Sequence, residues 1–206
     1  MDGKKIADML KQQNKDAIMA LQGGAYETAY KIFTQVLRAE VALELYDYAA
    51  RTRVNMANTL YLMGRGEEAL TCVEEALVFF EEVKDVKALC ENRILKCQLL
   101  LESDRREAME EEAKRLLADC GEETLKGQAY LYLYEAVMAK HRTREALQMI
   151  NKSIQCFERA HDTNNMARAL QCRIRYYMKQ GQMVYAMTDR EKLAKIGLTN
   201  EENVLI

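Results

Sequence analysis

Gly24-Ala-Tyr-Glu-Thr-Ala29 decides the fold, because it returns. Gly64-Arg-Gly-Glu-Glu-Ala69 and Gly181-Gln-Met-Val-Tyr-Ala186 share its frame, and Ser103-Asp-Arg-Arg-Glu-Ala108 and His141-Arg-Thr-Arg-Glu-Ala146 follow it without the glycine. The closing alanines, Ala29, Ala69, Ala108, Ala146 and Ala186, are spaced by 40, 39, 38 and 40 residues. A fixed period of this order marks a solenoid of stacked helical units. Solenoids offer a long surface to a partner, so the pattern speaks more clearly about how the chain binds than about what it binds.

Composition agrees with an all-α chain. There is no proline, and glycine is scarce at 9 residues in 206. Strands and hairpins need turn residues at short regular intervals, and the strong helix formers Ala, Leu, Glu, Lys, Gln, Met and Arg dominate instead. The repeat runs without a linker, which predicts one continuous array over 1–206, with repeats near 4–44, 45–83, 84–120, 121–160 and 161–197 and a tail at 198–206. No stretch approaches the roughly 18 apolar residues of a membrane span. Met1 to Leu21 has no apolar core of the kind a secretory signal needs. The six cysteines form no C-x-x-C pair, and Cys90 and Cys97, seven apart on a helix, lie about 10 Å apart, too far for a disulfide. Reduced thiols and a cytoplasmic location are the expectation. No metal-ligand spacing, phosphate loop or nucleophile with a plausible base stands out, so neither an enzyme nor a cofactor is expected.

Each repeat reads as two helices, A then B. In the second, helix A spans about Tyr48–Met63, a glycine turn follows at Gly64–Gly66, and helix B begins near Glu67 with Ala69, Leu70, Val73, Ala76, Leu77 and Phe80 at helical spacing. Asp47, Asp85 and Asp162 are expected as N-caps of A helices. Gly197 is expected to end the last B helix, and Thr199-Asn-Glu-Glu202 to open a short capping helix whose Val204-Leu205-Ile206 covers the open end. Glu110-Glu-Glu112 reads as a solvated helix face.

Gly24-x-Tyr26-x-x-Ala29-x-x-x-Phe33-x-x-Val36 and Gly64-x-x-x-x-Ala69-x-x-x-Val73-x-x-Ala76 resemble the tetratricopeptide repeat (TPR) in a long form of about 40 residues. The resemblance covers nearly the whole chain and is stronger in the B helices. Gln13, Arg53, Asn92, Tyr130 and Leu170 stand where the family has tryptophan, and the terminal proline is missing throughout. It implies an all-α, right-handed superhelical α-solenoid of about five TPR-like helix-turn-helix repeats plus a short C-terminal capping helix.

The family's A helices line a concave groove. Carried over, the groove positions are Lys11, Asn14, Lys15 and Ile18; Arg51, Val54, Asn55, Asn58 and Tyr61; Cys90, Arg93, Ile94 and Cys97; Gln128, Leu131, Tyr132, Glu135 and Met138; and Arg168, Gln171, Cys172, Arg175 and Met178. Asn55 and Asn58 offer donors and acceptors to a peptide backbone, and arginine holds a carboxylate by two parallel hydrogen bonds. The expected partner is therefore a protein or peptide, acidic by this set. Nucleic acid is not expected, although Arg173-Ile-Arg-Tyr-Tyr177 has the residue types to touch a phosphate and stack a base; nor is a membrane. The expected role is a non-catalytic protein–protein interaction module, an adaptor or scaffold. Two alternatives stand beside it. One is a peptide-sensing regulator with no DNA-binding domain of its own. The other is a self-assembling structural subunit, favoured by charge: residues 60–123 carry 9 Lys/Arg against 17 Asp/Glu and residues 124–200 carry 13 against 6, nets of −8 and +7.

Overall fold

The computed structural model describes residues 3–202, and within them every regular element is a helix: α1 (Gly3–Gln22), α2 (Tyr26–Ala42), α3 (Tyr46–Leu62), α4 (Gly66–Glu82), α5 (Val86–Glu102), α6 (Arg106–Asp119), α7 (Glu123–Ala139), α8 (Thr143–Arg159), α9 (Thr163–Lys179) and α10 (Met183–Glu202). Helices start at 26, 46, 66, 86 and 106, twenty residues apart; α7 starts only seventeen after α6, and the twenty-residue step then resumes. The building block is thus seventeen helical residues and a three-residue turn.

The turn explains this regularity. Gly24, Glu44, Gly64, Lys84, Asp104, His141, His161 and Gly181 all have φ between 54° and 78°. Each stands just past a helix end, in the left-handed conformation that closes a Schellman motif. The defining six-to-one bonds recur, from Ala25 N to Ala20 O, Leu45 N to Glu40 O, Arg65 N to Leu60 O and Asp162 N to Phe157 O, at 2.8 to 2.9 Å. Asp85 and Asp162 cap the next helices by accepting from Ala88 N and Asn165 N, both at 3.0 Å. Asp47 is not a cap: Leu45 holds that place, and Asp47 accepts from Arg51 one turn on.

The turn between α6 and α7 departs from the rule. α6 has 14 residues where α2 to α5 and α7 to α9 have 17, and Glu122, which precedes α7, is extended at φ −79° and ψ 127°. Three residues are missing at one place. The sequence spacings of 39 and 38 spread that loss over two repeats and misplace the third frame by one residue. Ala108 is exposed, and Met109, 0% exposed, takes the crossing position held elsewhere by Ala29, Ala69, Ala146 and Ala186.

Cα packing gathers the helices into two compact units, one up to Arg105 and one from Arg106. In the first, each helix packs on the next from α1 to α5; in the second, from α6 to α10. Ala17, Ala29, Phe33 and Met56 form one core cluster of the first unit. Val137, Ala146, Ile150, Phe157 and Leu170 are part of the core of the second. Glu110 and Glu112 are buried rather than solvated, at 7% and 4% exposure; Glu110 accepts from Lys114 at 2.6 Å and from Lys140 at 2.7 Å. The helix expected to end at Gly197 does not: α10 runs through it to Glu202. Val204-Leu205-Ile206 lie outside the described residues.

Candidate binding grooves

In the first compact unit the exposed faces of α3 and α5 enclose a groove of about 490 Å³. Arg51, Val54, Asn55 and Asn58 come from α3, and Glu91, Asn92, Ile94, Leu95 and Gln98 from α5, with Phe80 beneath. The two helices contribute residues forty apart, Arg51 with Glu91, Val54 with Ile94, Asn55 with Leu95 and Asn58 with Gln98, because identical helix lengths and turns hold the register. The middle is apolar and the rims carry amides. Asn58 donates to Val54 O at 3.1 Å, leaving its side-chain oxygen as an acceptor. The Asn55 side-chain amide has no hydrogen-bond partner among the described residues, so it keeps donor and acceptor alike. Tyr61 closes one end: its hydroxyl donates to Glu102 Oε1 at 2.6 Å and accepts from Gln98 Nε2 at 2.7 Å, and the Glu102 bond holds its proton above the usual phenol range. At the other end Arg51 is held by Asp47 at 3.3 Å and Asp85 at 3.8 Å.

Other residues picked out by sequence fall elsewhere. Lys11 and Lys15 are exposed on α1. Asn14 is structural: it donates to Glu40 Oε1 at 3.1 Å and accepts from Thr52 Oγ1 at 3.5 Å, tying α1, α2 and α3 together. Arg93, 5% exposed, turns away from the groove to pair with Glu81 at 3.0 Å, and Cys90 and Cys97 are buried core residues. The one-residue slip in the third repeat makes Cys90, Arg93 and Cys97 look like groove residues in place of Glu91, Leu95 and Gln98. Counting forty from Arg51, Asn55 and Asn58 would have found all three. Ile94 is where the sequence placed it.

In the second unit α7 presents Gln128, Leu131, Tyr132 and Glu135, all half-buried, and α9 presents Arg168, Gln171 and Arg175, all exposed. Tyr134 ties α7 to α9 by donating to Cys172 O at 3.3 Å, and burial pushes its phenol up to about 12. Arg173, which the sequence offered as a phosphate contact, is taken up internally. It makes two 2.7 Å bonds to Asp189, itself 3% exposed, and a third to Asn151. Among the described residues no group of three His, Cys, Asp or Glu side chains is placed to hold a metal ion, and no helix is long and apolar enough to cross a membrane.

No protein-family model and no curated protein matches the sequence. Solved structures do match in fold. RapI in its apo form superposes with a TM-score of 0.80 at 13% identity, over 94% of this chain and 58% of that one. BtubC from P. vanneervenii gives 0.80 at 15% identity, over 97% and 84%. The TPR-like repeats of a Podosopora anserina kinesin light chain give 0.73 at 14% identity, over 93% and 96%. The chain is an all-α repeat protein of the TPR-like α-solenoid fold.

Proposed function

We propose that this protein is a non-catalytic interaction module that binds an extended protein segment along the exposed faces of its A helices. The α3–α5 groove carries the reading. It is an open channel of about 490 Å³ with an apolar middle formed by Val54, Ile94 and Leu95 and amides along its rims. An extended peptide needs an apolar wall for one face and amide groups for its unpaired backbone. The unpartnered Asn55 amide supplies both a donor and an acceptor. The TPR-like neighbours raise this reading by analogy of fold.

The test is selection of displayed random peptides on the wild-type protein, with each enriched peptide rebound to a Val54→Arg, Leu95→Arg variant of unchanged helix content. Both sites are half-buried at the groove wall, so the arginines block the channel. Loss of at least about tenfold in affinity, about 1.4 kcal/mol, supports the groove. Peptides that bind the variant undiminished, or no enrichment at all, would remove it.

A further inference from the structure

The two units hold their groove cations differently. Arg51 of α3 lies between two aspartates, and Arg53 of the same helix is taken up by Glu75. On α9, Arg168 and Arg175 have no carboxylate at salt-bridge distance among the described residues. Arg168 Nη1 reaches only Asn165 Oδ1, at 3.5 Å. Arg175 Nη2 reaches only the Cys172 sulfur, at 3.2 Å. Glu135 of α7 is near enough to favour the charge on Arg175 without pairing with it. Both arginines are exposed and seven residues apart, so they stand on one helix face about 10 Å from each other.

We propose that this face of α9 binds an extended acidic peptide whose two carboxylates, three residues apart, are held by Arg168 and Arg175. The inference rests on the groove reading and names the chemistry of the ligand in the second unit. The spacing argues for a polyproline II segment. Such a chain rises about 3.1 Å per residue with three residues per turn, so side chains three apart emerge on the same side about 9 Å from each other. A β-strand puts residues three apart on opposite faces, and those two apart only about 7 Å from each other. Each guanidinium keeps N–H groups free for a paired grip on one carboxylate. Gln171, exposed between them, offers a donor and an acceptor to the peptide backbone. Cys172 lies on the same face, and its burial keeps it a neutral thiol, so it adds no competing anion.

The test uses the full chain and a fluorescein-labelled peptide, Ala-Pro-Glu-Pro-Ala-Glu-Pro-Ala, followed by anisotropy at low salt. Comparison peptides carry glutamine at both acidic positions, the two glutamates separated by one residue, or two phosphoserines. The glutamate peptide should bind about tenfold or more tighter than its glutamine and short-spaced counterparts. Arg168→Gln and Arg175→Gln should each lose about fivefold, and the double variant should lose the preference for glutamate over glutamine. Bound peptide should also slow maleimide modification of Cys172, read by mass spectrometry, which a remote binding site would not do.

Equal binding of the glutamate and glutamine peptides, an unaffected double variant or an unprotected Cys172 overturns the proposal. So does absence of binding at millimolar peptide. A phosphoserine peptide that binds tenfold tighter than the glutamate peptide overturns the carboxylate as the source of the charge. The two readings fail separately. Glutamate and glutamine peptides bound alike, and lost together from a Leu131→Arg variant, end the acidic inference and keep the groove. Arginine-dependent binding here, with the α3–α5 selection failing, does the reverse.

Discussion

Glu40 is the residue whose environment most contradicts its chemistry. It is the fifteenth residue of α2, the place that Phe80 and Phe157 fill in α4 and α8, and it is 1% exposed. Asn14 satisfies one carboxylate oxygen; the other, Oε2, is buried without a hydrogen-bond partner. Burial disfavours the charged form, so the carboxyl sits above its ordinary 4.5, although the nearby Thr52 hydroxyl, the Asn14 bond and the charge of Arg53 pull the other way. The folded state therefore binds this proton more tightly than the unfolded chain. Its contribution to stability is full below about pH 4.5, lost as pH rises through the folded value, and flat beyond. Glu40→Gln keeps the Asn14 bond and removes the titration. Its melting temperature should equal or exceed that of the wild type at pH 8, and the gap should close near pH 4. A gap unchanged with pH would show that folding leaves the affinity of Glu40 for its proton unshifted. Gly127 poses the opposite problem, of space. A Cβ there would stand 2.5 Å from Phe157 Cε1, and its carbonyl accepts from the buried Ser153 hydroxyl at 2.8 Å. Gly127→Ala, though it favours helix, should destabilise by about 1–3 kcal/mol through overpacking. A second change, Phe157→Leu, should recover part of that loss in thermal melts.

The helices owe their equal lengths to their ends, and five of the eight left-handed closing residues are not glycine: Glu44, Lys84, Asp104, His141 and His161. A side chain in that conformation costs on the order of 1 kcal/mol. Lys84 is exposed and forms no ion pair among the described residues. Lys84→Gly should therefore raise stability by up to about 1 kcal/mol, less what glycine adds to unfolded-chain entropy. Chemical denaturation measures it, and a loss would mean that the turn is held by something other than its φ. These turns also mark how far the sequence could be read. Glycine announced three of them, at 24, 64 and 181, and with the alanines at 29, 69, 146 and 186 that sufficed for the fold class and for the face of α3 that carries Arg51, Val54, Asn55 and Asn58. Where the turn residue was aspartate or lysine, no local signal existed. The three residues missing from α6 then divided themselves between neighbouring repeats, and α5 was read one residue out. In a helix one residue is 100° of rotation, which put buried Cys97 in the place of half-buried Gln98. The burial of Glu110 and Asp189 was equally hidden, because their partners Lys140, at the end of α7, and Arg173, in α9, are distant in sequence. At Gly197 the glycine signal misled: a single glycine is tolerated inside a helix at about 1 kcal/mol, and α10 continues through it.

A stack in which each helix meets mainly its neighbours in sequence should be no more stable at its ends than the local packing allows. α10 has Met183, Val184 and Met187 exposed at 51%, 76% and 59%, and among its described side chains only Ala186 and Asp189 are buried. α1 is similar, with Met9 and Met19 exposed at 47% and 59% and Leu10 and Ala17 buried. By contrast α3 buries seven residues and α8 six. Amides that exchange through local opening report this difference directly, because opening free energies run from near zero at frayed ends up to the global value in the best-packed helices. Native-state hydrogen exchange should show α1 less protected than α3, and α10 less protected than α8. Gly127→Ala sharpens the test, since its strain lies between α7 and α8. It should speed exchange in α7, α8 and their neighbour α9 and leave α1 to α3 at wild-type rates. A uniform acceleration from α1 to α10 would show one cooperative transition instead, and the nearest-neighbour account of stability would fail.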